Sequence, residues 1–218
     1  MDFMLPLLIV LPLLLGAKGA SKTASTMIKY DFPDVQSISN VPFAIGASNP
    51  LFPVITKNKR GGEVAYRKKD GKYVGNAARS FGAKRADGAR KHAGIDLYCN
   101  AGDIVRACED GQVVGIQGFL GQTKAILIQN HSGIVCLYGE VKNNSWNEFG
   151  VLKNHFVEKG QAIARVGITP GGSSMLHFET YKKGTLQNTP WYSNKNPPSN
   201  LLNPTKYLLQ AQKSFTNA

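Results

Sequence analysis

Between Ile104 and Tyr181 the sequence is cut into short apolar, β-branched runs by turn residues that recur roughly every ten positions. That spacing leaves too little unbroken chain for amphipathic helices, and no parallel βαβ pattern accompanies it. Ile104–Cys108 and Gln112–Ile116 flank Asp110-Gly111, a pair that predicts a tight hairpin. Ala125–Ile128 and Ile134–Tyr138 flank Asn130–Gly133 and predict a second hairpin. Phe156–Gln161 then leads into Ala162–Gly167, and Met175–Tyr181 reads as the last clear strand. Helical period appears only at Tyr207–Gln212. The 23 glycines and 11 prolines suit such a turn-rich chain. The expected fold is therefore all-β, an antiparallel sandwich or barrel-like core with a short helical C-terminal segment.

The first residues read as a targeting segment. Leu5–Leu15 is almost wholly apolar and Ala17-Lys18-Gly19 follows with small residues at a cleavage spacing, so residues 1–19 are expected to be a secretory signal. A bilayer crossing needs roughly 20 apolar residues, more than this run supplies, and no stable membrane span is expected. Asp2 stands where a positive charge is usual, which keeps an uncleaved anchor as the rival. Residues 20–50 read as a linker or an N-terminal arm, which as an arm could cover a groove in the manner of a zymogen. Residues 51–210 read as the β domain, with Phe52–Ile55 entering a sheet and Lys57–Lys72 an exposed basic loop. Residues 211–218 read as a tail. The 26 Lys and Arg against 14 Asp and Glu give +12, which outside a cell favours polyanionic material. Export argues against nucleic acid as the partner. Three cysteines, Cys99, Cys108 and Cys136, allow at most one internal disulfide, of unspecified pairing, or three buried thiols. The absence of Cys-x-x-Cys excludes a thiolate zinc knuckle.

The chemistry concentrates in two places. His92 and Asp96 are four apart, so on one strand they would share a face, and both are good zinc ligands. Alone, such a pair is more readily a surface contact. His177 sits in an apolar strand, alternating with Met175 and Glu179; alone, it is more readily a hydrogen-bonded core residue.

Taken in order, the segments resemble lysostaphin and LytM-type zinc endopeptidases. The matching text is His92-x-Gly94-x-Asp96-Leu97, then Gly102-x-x-Val105-x-Ala107-x-x-Asp110-Gly111-x-Val113, then Leu137-Tyr138, Val157-x-x-Gly160-Gln161 and Leu176-His177-Phe178-Glu179. It spans roughly half the chain. The resemblance implies one Zn2+ held by His92, Asp96 and His177, with the fourth position open, as in catalytic rather than structural sites. It also implies a secreted, extracellular or periplasmic metalloendopeptidase acting on bacterial cell-wall peptidoglycan.

Two departures bear on turnover. Where the family reads His-x-His, Met175 replaces the first histidine, and where it reads Tyr-x-His, Tyr138-Gly139-Glu140 supplies a carboxylate. Glu140 is the candidate for moving the proton to the leaving amine. Met175 has no proton chemistry near neutral pH and is expected to pack beside the metal. Tyr138 is expected either to line the cleft or donate to a developing oxyanion, or else to pack in the core. Arg85 and Arg90 are expected either to hold a substrate carboxylate or to be surface charge. His131 and His155 read as solvated loop residues. The alternative function is a catalytically impaired, zinc-containing peptidoglycan- or glycan-binding or signalling module, as in the similar leukocyte chemotaxin-like proteins. A lipoyl-type carrier, suggested by Val157–Gly167, lacks a convincing modified lysine at a hairpin tip.

Overall fold

A computed structural model describes residues 32–47 and 49–215. The expected signal segment, residues 1–19, lies outside the described residues. In chain order the strands are β1 (Val54–Ile55), β2 (Tyr66–Arg67), β3 (Tyr73–Val74), β4 (Lys84–Arg85), β5 (Arg90–Lys91) and β6 (Ile95–Tyr98). There follow β7 (Ile104–Arg106), β8 (Gly111–Gly118), β9 (Lys124–Asn130), β10 (Ile134–Val141) and β11 (Phe156–Val157). The last four are β12 (Ala162–Arg165), β13 (Met175–Lys182), β14 (Trp191–Tyr192) and β15 (Leu201–Leu202). A single α-helix, α1 (Thr205–Ala211), closes the described chain with a 3-10 turn.

The organising element is a seven-stranded antiparallel sheet in the order β11-β8-β9-β10-β13-β15, with β6 also paired to β13. A second sheet, β1-β7-β12, packs with it around one apolar core. β10 is buried along its whole length, and accordingly reads as a near-continuous apolar run rather than an alternating one. One face of β10 and β13 supplies Tyr138 and Phe178 to the core, and α1 adds Tyr207, whose ring stacks on Phe178. The all-β antiparallel fold with its short terminal helix is as expected.

The second predicted hairpin is the β9–β10 pair, with Gln129 opposite Val135 and Gly133 at φ 82 in the turn. The first is not a hairpin. β7 pairs with β1 and β12, whereas β8 pairs with β9 and β11, so the chain changes sheets at Cys108–Asp110. Gly111 does not take the positive φ that a primed two-residue turn requires. It is glycine for close approach: an added Cβ would lie 2.6 Å from the Gln129 carbonyl oxygen. The Lys57–Lys72 stretch is also more than an exposed loop, since Val64 and Ala65 are buried and Tyr66–Arg67 pairs with β3. All three cysteines are buried thiols. Before Leu51, Val35, Val41 and Ala44 are buried against the domain, and none of the described residues there lines the cavity described below. Among the described residues no helix is long and apolar enough to cross a membrane.

Candidate metal centre

Strand pairing brings the three candidate ligands together. β6 runs beside β13 with Asp96 directly opposite His177, and Gly139 of β10 lies opposite His177 on the other side. His92 arrives differently from the one-strand reading. It follows β5, and residues 92–94 carry the chain from the small β4–β5–β14 sheet into β6. Gly94 permits that passage, because a Cβ there would stand 2.5 Å from the Phe178 carbonyl and 2.9 Å from His177 Nε2. The His92 and Asp96 side chains therefore meet across a bend rather than along one strand face.

The result is a tight triangle. His92 Nε2 lies 3.0 Å from Asp96 Oδ1 and 3.1 Å from His177 Nδ1, and His177 Nδ1 lies 2.9 Å from Asp96 Oδ1. Tetrahedral zinc with bonds of about 2.0–2.2 Å separates its ligand atoms by roughly 3.3 Å, so a triangle of this size fits one ion. Among the described residues this is the group of three metal-ligating side chains that converges.

The second ring nitrogens decide what the triangle contains. His92 Nδ1 donates to the Ser80 carbonyl at 2.9 Å, and His177 Nε2 donates to the Glu179 carboxylate at 2.8 Å. A carbonyl or carboxylate can only accept, so each neutral imidazole turns a lone pair inward. With both rings neutral, two nitrogen lone pairs and a carboxylate oxygen would face one another at about 3 Å with no proton among them. That arrangement repels itself unless a cation occupies the centre. Burial pushes His177 down, but its hydrogen bonds to Asp96 and Glu179 and their charges outweigh it and raise the ring to about 10. Burial likewise raises Asp96, yet His92 and His177 hold it well below the usual carboxylate range. The centre demands positive charge, and metal or proton can supply it.

Glu179 is the part that sequence reasoning passed over. Its Oε1 orients His177, while its Oε2 accepts from the Tyr181 hydroxyl at 2.6 Å; that hydroxyl in turn accepts the Thr189 N–H. The signal was present, since Glu179 and Tyr181 follow His177 at the same-face spacing of a strand. Glu179→Gln should weaken zinc affinity by about 10–100-fold while the fold persists, measured by competition against a chromophoric chelator.

Glu140 reaches the same cavity through a break in strand geometry. Simple alternation would place Tyr138 in the core, Gly139 toward the cavity and Glu140 back in the core. Instead the β9–β10 register shifts between Tyr138 and Val141, and Glu140 takes φ 62. A non-glycine residue held at that φ is strained, and the Gly167 N–H pins its carbonyl at 2.8 Å. The bulge turns the carboxyl into the wall of a cavity of about 610 Å³ that His92, Asp96, His177, Glu179 and Met175 also line. Glu140 is 6% exposed and its Oε2 is buried without a partner among the described residues. Burial, with the Asp96 charge adding to it, pushes this carboxyl up to about 7 despite the nearby His177, Arg79 and Arg85.

Other candidates fall out differently. Tyr138 is a core residue: it is fully buried, and its hydroxyl accepts the Cys108 N–H at 2.9 Å, so it cannot line the cleft or serve an oxyanion. Arg85 donates to Asp96 Oδ2 at 2.8 Å, which engages it in orienting that carboxylate rather than leaving it free for substrate. Arg90 is exposed at the cavity rim. Met175 lies on the cavity face, opposite Tyr98. His131 and His155 are exposed in loops.

Residues 90–189 match the model of peptidase family M23, and this stretch holds all three converging side chains together with Glu140. That segment, just under half of the chain, is of the M23 peptidase type. Solved structures similar to this chain include the antimicrobial peptidase lysostaphin from Staphylococcus simulans, at 18% identity over 78% of this chain and 58% of that one, TM-score 0.48. LytU is 23% identical over 64% of this chain and 90% of its own, TM-score 0.47. A zinc-containing peptidase from Vibrio cholerae is 22% identical over 62% of this chain and 47% of its own, TM-score 0.39. The chain thus spans about half the length of that last protein. No curated protein matches it. The M23 match begins at β5, so the 3-10 turn Ala77–Arg79 and β4, both at the cavity, lie outside it.

Proposed function

We propose that this protein is a secreted zinc metalloendopeptidase that hydrolyses peptide bonds of bacterial peptidoglycan. The observation that carries the reading is the inward-facing trio of lone pairs on His92, Asp96 and His177, each ligand tied from behind by Ser80, Arg85 or Glu179. These three residues would hold the ion and leave its fourth position toward the cavity. Zinc in such a site polarises a carbonyl and lowers the pKa of water to about 7.

The remaining work falls to the chain's own groups. Glu140, poised near neutrality, takes a proton from the attacking water and returns it to the departing nitrogen, which suits one group acting as base and then as acid. Arg85 and Glu179 keep Asp96 and His177 in place. The +12 charge favours the anionic polymers and acidic peptides of a cell wall.

One observation favours the alternative of a zinc-containing binding or signalling module: Met175, on the cavity face, cannot carry a proton. The two readings separate in one experiment. Purified peptidoglycan is digested with and without a chelator while bound zinc is measured. The enzyme should give new peptide ends that vanish with the chelator and return with zinc. Stoichiometric zinc with no product from several wall types would decide for the binding module.

A further inference from the structure

The cavity holds a cation that the proposed proton chemistry leaves idle. Arg79 ends a 3-10 turn, Ala77–Arg79, whose Asn76 cap accepts the Ala78 N–H. Its guanidinium carbon lies 3.8 Å from the centroid of the Tyr98 ring, and that of Arg60 lies 3.9 Å from the same centroid. Two guanidiniums cannot occupy one face at that height, so Tyr98 is sandwiched between them. Arg60 is neutralised by a two-point bond to Glu63, at 2.8 and 2.7 Å. Arg79 has no such partner. Among the described residues no carboxylate pairs with it, its Nη1 is buried without a hydrogen bond, and the buried Tyr98 hydroxyl also lacks one. A guanidinium held flat against an aromatic ring, lining the cavity and without a carboxylate partner among the described residues, is a preorganised carboxylate receptor.

Its place relative to the metal ligands follows from strand register. Tyr98 is opposite Met175, as Asp96 is opposite His177, so both rungs present to the cavity face. They stand two residues, roughly 7 Å, apart, about the span of two residues of an extended peptide. The other cations at the cavity are otherwise engaged or less fixed. Arg85 is bound to Asp96, Lys91 donates to Ser39 and lies over Trp191, and Arg90 is exposed.

We infer that Arg79 is a specificity-determining residue that binds a carboxylate of the substrate, so the cleft selects peptides carrying an acidic group about two residues from the bond to be cut. The inference rests on the peptidase reading for its substrate, but binding can be read without turnover.

The test uses zinc-loaded full-length protein carrying Glu140→Gln, so that the probe survives, and soluble muropeptides, native or with their carboxylates converted to amides. Native probe should bind roughly 10–100-fold more tightly than amidated probe. Adding Arg79→Met should remove that preference by weakening the native probe alone, and Arg79→Lys should restore part of it. Equal weakening of both probes would mean that Arg79 only props Tyr98, and would overturn the proposal, as would an undiminished preference. Cleavage of both probes by the parent protein at one rate would also sink Arg79 as a selector while leaving the peptidase intact. An Arg79-dependent preference without any cleavage would sink the peptidase and leave the receptor. Absence of binding to either probe would sink both.

Discussion

Glu140→Gln should leave one zinc per chain and lower peptide hydrolysis by roughly 10²–10⁴-fold, the usual worth of a positioned general acid–base. The amide keeps the shape of the carboxyl and lies outside the ligand triangle, so metal content and thermal stability should hardly change. The parent protein should lose activity as pH falls below 7, at a point that the bound ion's charge sets lower than the metal-free value of about 7, because a protonated carboxyl cannot accept from water. The variant's residual rate should lack that dependence. Turnover equal to the parent's with zinc retained would remove Glu140 from the mechanism. The effect depends on the bulge: with ordinary strand alternation the Glu140 carboxyl would face the apolar core, away from the cavity.

Stripping the metal should abolish hydrolysis and place a proton where the ion was. In the metal-free protein Asp96 and Glu179 hold the His177 ring protonated to about pH 10, so zinc binding at pH 8 should release about one proton per ion. Calorimetric titration in buffers of different ionisation enthalpy measures that number directly. The same shift has a stability consequence. The folded-state value lies above the ordinary 6.5, so the stability contributed by His177 is fully present below about pH 6.5 and is lost as pH rises through 10. Metal-free protein should therefore become less stable across that window, and zinc-loaded protein should not, because the ion replaces the proton. Zinc uptake with no proton released would mean that the triangle is neutral without metal, and the charge argument for the site would fail.

The two effects come from one design: a dry pocket in which each acceptor is held from behind. Arg85 and Glu179 also explain why the ligands tolerate such close approach. The carboxylate and the imidazole are each fixed by a partner outside the triangle, and neither can swing away to relieve the repulsion.

Local text specified much of this. Ala125–Tyr138 encodes its own hairpin because the two strands are adjacent in sequence and Gly133 supplies the turn. The strand at Met175–Lys182 declares itself by alternation, and His92, Asp96 and His177 are visible as residue types at suggestive spacings. Three things were not legible, each for a reason of distance. Asp110-Gly111 has hairpin chemistry, yet its flanking strands find better partners in different sheets. The period of a strand states that it is a strand and not beside which one it will lie. Glu140 needed a bulge, which arises from the mismatch between β9 and β10 and from the Gly167 N–H, 27 positions away in sequence by simple difference of numbers. Arg79 needed Tyr98 of β6 and Arg60, the two arginines being brought from separate turns to the two faces of one ring. Sequence by itself determined the principal strands, the β9–β10 turn and the donor atoms available for a metal. Tertiary structure alone decided which lone pairs face inward and which carboxyl and guanidinium share the cavity, because those are set by contacts between segments that carry no record of one another.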